Sequence, residues 1–160
     1  MRAMRATPVV ELEVREATAS DLDDLVRFTI EEAREAEGRV LDPAAARRGV
    51  EAAFWPAPAA RYWLVTAGTG GPPLGSASVT VEWSDWNGGY YWWLQSVYVA
   101  PEARGRGIFP PLVAAITAAA RAAGAVELRL LVHADNGRAV ATYRREGFED
   151  LPYLVMRQRL

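Results

Sequence analysis

The chain has 160 residues, of which 51% are hydrophobic and 24% charged, and its formal net charge is −2 at pH 7. These values predict one globular domain over residues 1–160, and they exclude a disordered chain and an overall basic field for nucleic acid. Cysteine is absent and only one histidine occurs, which excludes disulfides, thiolate chemistry and a multi-histidine metal site, so we expect no metal.

The first third of the chain alternates between strand and helix patterns. Residues 1–8 are expected to form a disordered terminus. The N-terminus shows no secretory signal, and the chain has no apolar stretch long enough to span a bilayer. These features predict a cytoplasmic protein. Alternation over residues 9–16 predicts a half-buried strand. Cap residues from Thr18 to Asp21 begin a helix that Gly38 ends, and Asp42-Pro43 begins a second helix that ends near Trp55.

Three strands follow, at residues 62–67, 74–83 and 90–99, and the Gly/Pro and Asn-Gly turns between them predict an antiparallel meander. The third strand leads into Arg104-Gly105-Arg106-Gly107, and an Ala-rich helix is predicted from Ile108 to Ala120. Unpaired N–H groups at a helix start, with glycine and arginine before them, suit an anion such as a nucleotide-like pyrophosphate. The alternative is a plain strand–turn–helix with two surface arginines.

The remaining elements are a strand at residues 126–132, a helix at 136–146 that Gly147 caps, and a final strand at 151–159. The order of the predicted elements is therefore β-α-α-β-β-β-α-β-α-β. It places the Arg/Gly loop after the meander, whereas a Rossmann domain would have a Gly-rich loop after its first strand, which argues against that class.

Two segments resemble motifs of the GCN5-related N-acetyltransferases (GNAT). The family's coenzyme A motif is Arg or Gln, two residues, Gly, one residue, then Gly or Ala, and here the run is Arg104 to Phe109. The run from Asn136 through Ala139 and Tyr143 to Gly147-Phe148 is similar to the family's Asn-x-x-Ala-x-x-x-Tyr-x-x-x-Gly-Phe segment. The resemblance is strong over the C-terminal half and rests on element order in the N-terminal half. It implies an α/β (α+β) GNAT fold, with a mixed central sheet of about six to seven strands and about four helices.

The resemblance also implies the activity, which is transfer of an acetyl group from acetyl-CoA to a primary amine by direct attack in a ternary complex. The acceptor would be a small-molecule or peptide amine. In the family the pantetheine arm binds backbone groups of the strand before the loop, and an N–H near Val97 would polarise the thioester carbonyl. The implied coenzyme-binding residues are Val97, Tyr98, Val99, Arg104, Gly105, Arg106, Gly107, Ile108, Phe109, Asn136, Ala139 and Tyr143. Two departures are Phe109, where Gly or Ala is usual, and Pro110, which lacks a phosphate-binding N–H.

By the same resemblance Tyr143 is the general acid that protonates the leaving thiolate; the alternative is a core aromatic residue. Asn136 either binds the pantetheine arm or caps its helix. We predict Glu82 as the base, since it ends a strand next to the thioester strand, although a solvated carboxylate is the competing interpretation. The other candidate bases are Asp85, His133 and the first-helix residues Glu31, Glu32, Glu35 and Glu37.

An aromatic cluster suggests the acceptor site. Its members are Trp83, Trp86, Tyr90, Tyr91, Trp92 and Trp93. Half of them can lie in the core, and the rest, beside acidic residues, could bind a cationic amine. The predicted substrate residues are Glu31, Glu35, Trp83 and Asp85. The alternative is a core and a homodimer interface. A second function also stays open, which is a non-catalytic acyl-CoA-binding or sensing domain.

Overall fold

The computed structural model describes residues 11–159, and the chain divides into two compact units, with the boundary in the sequence between Leu130 and Leu131. The first unit contains, in chain order, β1 (Leu12–Glu16), α1 (Leu22–Glu37), α2 (Pro43–Glu51), β2 (Arg61–Ala67), β3 (Pro73–Ser84), β4 (Gly89–Val99), α3 (Phe109–Ala122) and β5 (Glu127–Leu130). The second unit contains α4 (Gly137–Arg145). The terminus predicted at residues 1–8 lies outside the described residues, and the prediction of a single domain stays a prediction.

The five strands form one sheet in the order β1-β2-β3-β4-β5. The first four strands are antiparallel neighbours, whereas β4 and β5 run parallel from the pair Tyr91–Glu127 to the pair Leu94–Leu130. The predicted meander and the mixed α/β class are therefore confirmed. Because pairing with β5 stops at Leu94, residues 95–99 of β4 have no strand on that side within residues 11–130.

Two predictions about the strands were wrong. The sheet has five strands rather than six to seven, and residues 151–159 form no strand. A strand persists only when a neighbour takes up its backbone N–H and C=O groups, and residues 131–159 include no other strand that could pair with it. The alternating apolar pattern of this segment therefore indicated strand propensity without a partner.

The helices begin where the cap residues predict, and α1 also ends where predicted. Asp21, immediately before α1, accepts hydrogen bonds from the N–H of Thr18 and from Nη1 and Nη2 of Arg15, each at 2.8 Å. Gly38 ends α1 with a φ of 62°, a left-handed conformation that glycine adopts without strain. Asp42 caps α2 by accepting the N–H of Ala45 at 3.0 Å. Helix α2 ends at Glu51, earlier than predicted, and a 3-10 turn continues to Phe54.

The core lies between the sheet and its helices. Helix α1 packs on β3 and β4, and α3 packs on β1, β2 and β5. The largest fully buried side chains are Phe28, Leu25, Leu64, Leu112, Ile116, Val50, Val65 and Val79. Gly75 lets β3 approach β4 closely, since a Cβ there would lie 2.7 Å from the carbonyl oxygen of Tyr98. None of the helices in the described part of the chain is long and apolar enough to span a bilayer.

Candidate functional site

A β-bulge interrupts the pairing of β3 with β4 beside the predicted thioester position. Gln95 and Ser96 both lie opposite Ser78, between the pairs Ala77–Val97 and Val79–Leu94. A bulge breaks the regular ladder and redirects the backbone groups next to it. The N–H of Ser96 donates to the Ser78 hydroxyl at 3.2 Å, and the N–H of Val97 donates to a side chain of α1.

That side chain is Glu32, whose Oε1 accepts the Val97 N–H at 3.3 Å. Glu32 is partly buried, and burial raises the pKa of its carboxyl to about 7, against the lowering effect of hydrogen bonds from Val97 and Ser96. A carboxyl with a pKa near neutrality can hold or release a proton at physiological pH. The structure thus places a titrating carboxyl on the backbone group that the resemblance assigns to the thioester carbonyl.

A second contact network joins α1 to the end of β4 and to the Arg/Gly loop. The Tyr98 hydroxyl donates to Glu31 at 2.7 Å and lies 3.4 Å from Glu35. Burial and the Glu31 carboxylate raise the pKa of Tyr98, so the phenol stays protonated. Arg104 donates to Glu35 at 2.5 Å and, through Nε, to the carbonyl of Val99 at 3.0 Å. Predicted coenzyme and substrate residues therefore meet here.

The Arg/Gly loop exposes backbone amides in the conformation expected of an anion site. Gly105 and Gly107 have φ values of 75° and 71°, and a Cβ at either position would meet nothing within 4 Å. Arg104 and Arg106 donate their N–H groups to the carbonyls of Pro101 and Ala103, each at 3.3 Å. The amides between and after them, at Gly105, Gly107 and Ile108, have no hydrogen-bond acceptor among residues 11–159. Such a run of unpaired amides can cradle a phosphate.

The start of α3 departs from the family motif as the sequence indicates. The Ile108 side chain is buried and holds the end of the loop in place. The side chain of Phe109 is partly buried. Pro110 and Pro111 lie in the first turn of the helix, where a missing N–H costs no helical hydrogen bond. The donors available to an anion are therefore the loop amides and arginine side chains rather than the second residue of the helix.

The second unit carries the remaining predicted coenzyme residues. The side chain of Asn136 accepts the N–H of Ala139 at 3.1 Å, so Asn136 caps α4. Tyr143 is partly buried and packs edge-on against Phe148, with ring centroids 5.7 Å apart. His133 lies in an exposed turn, where its Nδ1 accepts the N–H of Asp135 at 3.2 Å.

Glu82, the predicted base, lies far from Val97. It pairs with Tyr91, which precedes Val97 by six positions on β4, and this separation corresponds to roughly 20 Å along the strand. Its carboxylate is exposed and accepts the indole N–H of Trp93 at 2.6 Å. The structure therefore does not bring Glu82 to the thioester position, although the two strands are neighbours.

The aromatic hairpin divides between core and surface, as predicted. Tyr91 and Trp92 are buried, whereas Trp83, Trp86 and Tyr90 are exposed, and the rings of Trp83 and Tyr90 meet edge-to-face at 5.0 Å. Asp85 is exposed in the turn. Trp83 and Asp85 thus lie at the far end of β4 from Glu31 and Glu35, and the four predicted substrate residues do not form one site.

A signal for Glu32 was present in the sequence. Leu25, Phe28 and Glu32 follow the spacing i, i+3, i+7, which places them on one face of a helix, and the first two are buried. A glutamate at a core position of a helix is unusual and calls for a partner. In residues 11–159 there is no cluster of three or more His, Asp or Glu side chains that could hold a metal ion.

Comparisons with known proteins agree with this architecture. Residues 23–148 match the family model described as "Acetyltransferase (GNAT) family". A possible acetyltransferase from Clostridium difficile 630 is 33% identical, with a TM-score of 0.85 over 93% of this chain and 97% of that one. A probable acetyltransferase of known structure is 26% identical, with a TM-score of 0.82 over 92% and 97%.

A third similar structure, at 16% identity, supports the fold alone. It is the aminoglycoside N-acetyltransferase AAC(6')-Iy in complex with CoA, with a TM-score of 0.77 over 93% of this chain and 95% of that one. The comparison with curated proteins found no match. The family model covers most of the chain, including β4, the Arg/Gly loop and α4, so this chain belongs to the GNAT acetyltransferase family.

Proposed function

We propose that the protein is an N-acetyltransferase that transfers an acetyl group from acetyl-CoA to a primary amine by direct attack in a ternary complex. One observation carries the proposal beyond family membership. The unpaired edge of β4 leads directly into a loop whose amides at Gly105, Gly107 and Ile108 have no acceptor among residues 11–159. An extended arm ending in a pyrophosphate has matching chemistry, because it needs strand-like hydrogen bonds followed by an anion cradle.

Acetyl-CoA supplies the activated acyl thioester, and the residues of the chain hold and polarise it. Backbone groups from Val97 to Val99 would bind the pantetheine arm, and the Val97 N–H would donate to the thioester carbonyl. The loop amides, with Arg104 and Arg106, would bind the pyrophosphate. Fixed backbone donors cost no reorganisation when charge develops on the carbonyl oxygen, which is why such donors accelerate acyl transfer.

The resemblance assigns roles to two further residues, Tyr143 and Asn136. The Tyr143 hydroxyl is the proposed general acid for the leaving thiolate, because a phenol can donate its proton to the sulfur as the C–S bond breaks. Asn136 caps α4, and this contact uses only one of its polar groups. Its side-chain amide N–H groups could still donate to the pantetheine arm.

The acceptor is proposed to be a cationic primary amine, on a small molecule or a peptide. Glu31 and Glu35 supply negative charge in the C-terminal half of α1, where both contact Tyr98. A similar structure, AAC(6')-Iy, has been solved with a CoA–acetylneamine bisubstrate analogue. Amines of that class are therefore a rational starting point for screening here.

Thermal unfolding with acetyl-CoA, CoA and NAD as separate ligands tests the proposal. Both CoA ligands should raise the melting temperature of the wild type, since a ligand that binds only the folded state stabilises it by RT ln(1 + [L]/Kd). Gly107→Glu should abolish the shift, because it places a side chain and a negative charge in the cradle. Gly49→Glu adds the same group at an open position on α2 and should keep the shift. Absence of any shift with both CoA ligands would refute the proposal.

A further inference from the structure

We propose that Glu32 is the general base of the transfer and that it shares the Val97 N–H with the thioester carbonyl, so that binding of acetyl-CoA increases its proton affinity. The inference rests on the proposed function, and it assigns a role to a contact between helix α1 and strand β4. Glu32 contacts the Val97 N–H directly, whereas Glu82 lies roughly 20 Å from Val97 along the sheet.

Glu32 and the thioester carbonyl would compete for one hydrogen-bond donor. The Val97 N–H has a single hydrogen, and Glu32 Oε1 accepts it at 3.3 Å. The Ala100 N–H donates across to the carbonyl of Leu74 on β3, and N–H groups alternate sides along an antiparallel strand, so the Val97 N–H points away from β3 and toward Glu32. A thioester carbonyl that accepts the same hydrogen must displace the carboxylate or share the donor with it. Either change weakens the hydrogen bond to Glu32.

Weakening the hydrogen bond from Val97 changes the pKa of the Glu32 carboxyl. A hydrogen bond from an N–H stabilises the ionised form of a carboxyl and so lowers its pKa. In the structure this bond opposes burial, which holds the pKa of Glu32 at about 7. When the bond from Val97 is weakened, burial acts with less opposition, and the pKa rises further. Glu32 then becomes a stronger base at the moment when the thioester is in place.

Groups from β4, from β2 and from α1 itself face the Glu32 carboxyl. From β4 it receives the Ser96 side chain and the Val97 N–H, and from its own helix the charge of Glu37 raises its pKa slightly. From β2 the buried Tyr62 faces it, and the pKa of that phenol is raised by burial and, to a smaller extent, by the Glu32 charge. These groups are neutral or negative, so none of them stabilises the ionised carboxyl as a cation would.

The other charged residues of the surrounding elements are engaged elsewhere. On α2, Arg47 pairs with Asp23 at 2.7 Å and with Glu51 at 3.2 Å. At the end of β4, Arg104 pairs with Glu35. From β3 the Ser78 hydroxyl accepts the Ser96 N–H and forms a hydrogen bond with Tyr62. Glu32 is therefore partly buried without an ion-pair partner among residues 11–159.

The three protons of the acceptor ammonium have separate destinations in the transfer. The acceptor ammonium gives one proton to the Glu32 carboxylate, and the neutral amine nitrogen attacks the thioester carbonyl carbon. The C–N bond forms and the C–S bond breaks. Tyr143, the proposed acid, gives its hydroxyl proton to the CoA sulfur and takes the second proton of the nitrogen in its place, and the third proton stays on the amide product. Glu32 returns its proton to solvent, so one proton is released per turnover.

The decisive experiment measures proton uptake on ligand binding, and it needs no acceptor. Isothermal titration of the wild type at pH 7 with acetyl-CoA and, separately, with CoA would be run in phosphate and in Tris. The dependence of the measured heat on the buffer ionisation enthalpy gives the number of protons bound. CoA lacks the thioester carbonyl, so its binding should leave the hydrogen bond from the Val97 N–H to Glu32 intact. We expect uptake of a fraction of one proton with acetyl-CoA and less with CoA.

The variants assign the proton and the catalytic role. Glu32→Gln should bind both ligands and lose the acetyl-CoA-specific uptake, whereas Glu149→Gln, an exposed change outside helices and strands, should keep it. With an acceptor amine found by screening, Glu32→Gln should lower kcat at least 100-fold and remove the rise of the rate with pH. The affinity of the wild type for acetyl-CoA should increase as the pH falls from 8 to 6, since the bound state has the higher pKa.

The outcomes separate the two proposals. If neither CoA ligand binds the wild type, the proposed function fails and the role of Glu32 fails with it. If both bind with the same proton uptake, or if Glu32→Gln retains the acetyl-CoA-specific uptake, the role of Glu32 is refuted and the proposed function stands. Retention of wild-type kcat and of its pH dependence in Glu32→Gln would also refute the role of Glu32 as base.

Discussion

The guanidinium of Arg104 lies 2.5 Å from the carboxylate of Glu35, which ties the loop after β4 to helix α1. The same guanidinium donates to the carbonyl of Val99 at 3.0 Å. Arg104 is thus already paired, whereas Arg106 has an exposed side chain that forms no ion pair with any residue from 11 to 159. The two arginines of the loop should therefore differ in what they do for a bound phosphate.

We expect Arg106→Ala to weaken CoA binding more than Arg104→Ala. Arg106 can form a new charge-assisted hydrogen bond with a phosphate, so its loss should cost about tenfold in Kd. Arg104 must give up Glu35 to do the same, so its loss should cost less than about threefold. Arg104→Ala should instead lower the stability by about 1 kcal/mol, as an exposed ion pair and one hydrogen bond allow. Titration calorimetry and thermal unfolding measure both effects, and the reverse order of Kd values would contradict the assignment.

Gly107 is needed for its backbone conformation rather than for space. Gly107→Ala should destabilise the protein by about 1 kcal/mol, since φ is 71° while no atom lies within 4 Å of the added Cβ. The control is Gly49→Ala, which has equal space in the last turn of α2 and should stabilise the protein by about 0.5 kcal/mol. Urea unfolding of the two variants would settle the point, and equal effects in the two would argue against a conformational role.

Asp21 should make the stability depend on pH in acid. The hydrogen bonds from Arg15 and Thr18 hold its pKa at about 2, below the ordinary value of 3.8. A lowered pKa means that the contribution is present above pH 4 and is lost as the pH falls through about 2. We expect Asp21→Asn to cost about 2 kcal/mol at pH 7 and progressively less below pH 4. Asp24→Asn, which removes an exposed pair with Arg27, should change stability by less than about 0.5 kcal/mol.

Glu32 should have the opposite effect on stability. Its pKa is raised to about 7, above the ordinary 4.5, so the folded state disfavours the ionised form. The wild type should therefore lose stability as the pH rises from about 4.5 to 7. Glu32→Gln should be more stable than the wild type at pH 8, by roughly 1–3 kcal/mol, and similar to it near pH 4. Unfolding curves at both pH values test this, and Glu149→Gln should show no such dependence.

Tyr143→Phe should separate an enzyme from an acyl-CoA sensor. The ring contact with Phe148 survives the change, so the fold of the second unit should persist. Loss of the general acid should lower kcat by roughly 100-fold, while the Kd for CoA stays the same. Tyr153→Phe removes an exposed hydroxyl and is the matched control. A normal rate in Tyr143→Phe would exclude the tyrosine as the acid.

The predicted base illustrates the limit of arguing from neighbouring strands. Glu82 lies on β3, which does pair with β4, and the sequence predicts that pairing. The register decides the outcome, because it pairs Glu82 with Tyr91 rather than with a residue near Val97. Register depends on the turn and on the buried face of the whole sheet, and the bulge at Gln95 and Ser96 shifts it again. A local pattern contains neither quantity.

Local chemistry was sufficient for much of this protein. The caps at Asp21, Asp42 and Asn136, the helix end at Gly38 and the Arg/Gly loop all depend on residues within a few positions of one another, so the sequence by itself determined them. Tertiary structure alone decided which of the glutamates on α1 meets the Val97 N–H and whether residues 151–159 find a strand partner. Both outcomes depend on contacts between segments distant in the chain, and the free energy of such contacts comes from burial and pairing that only the assembled fold provides.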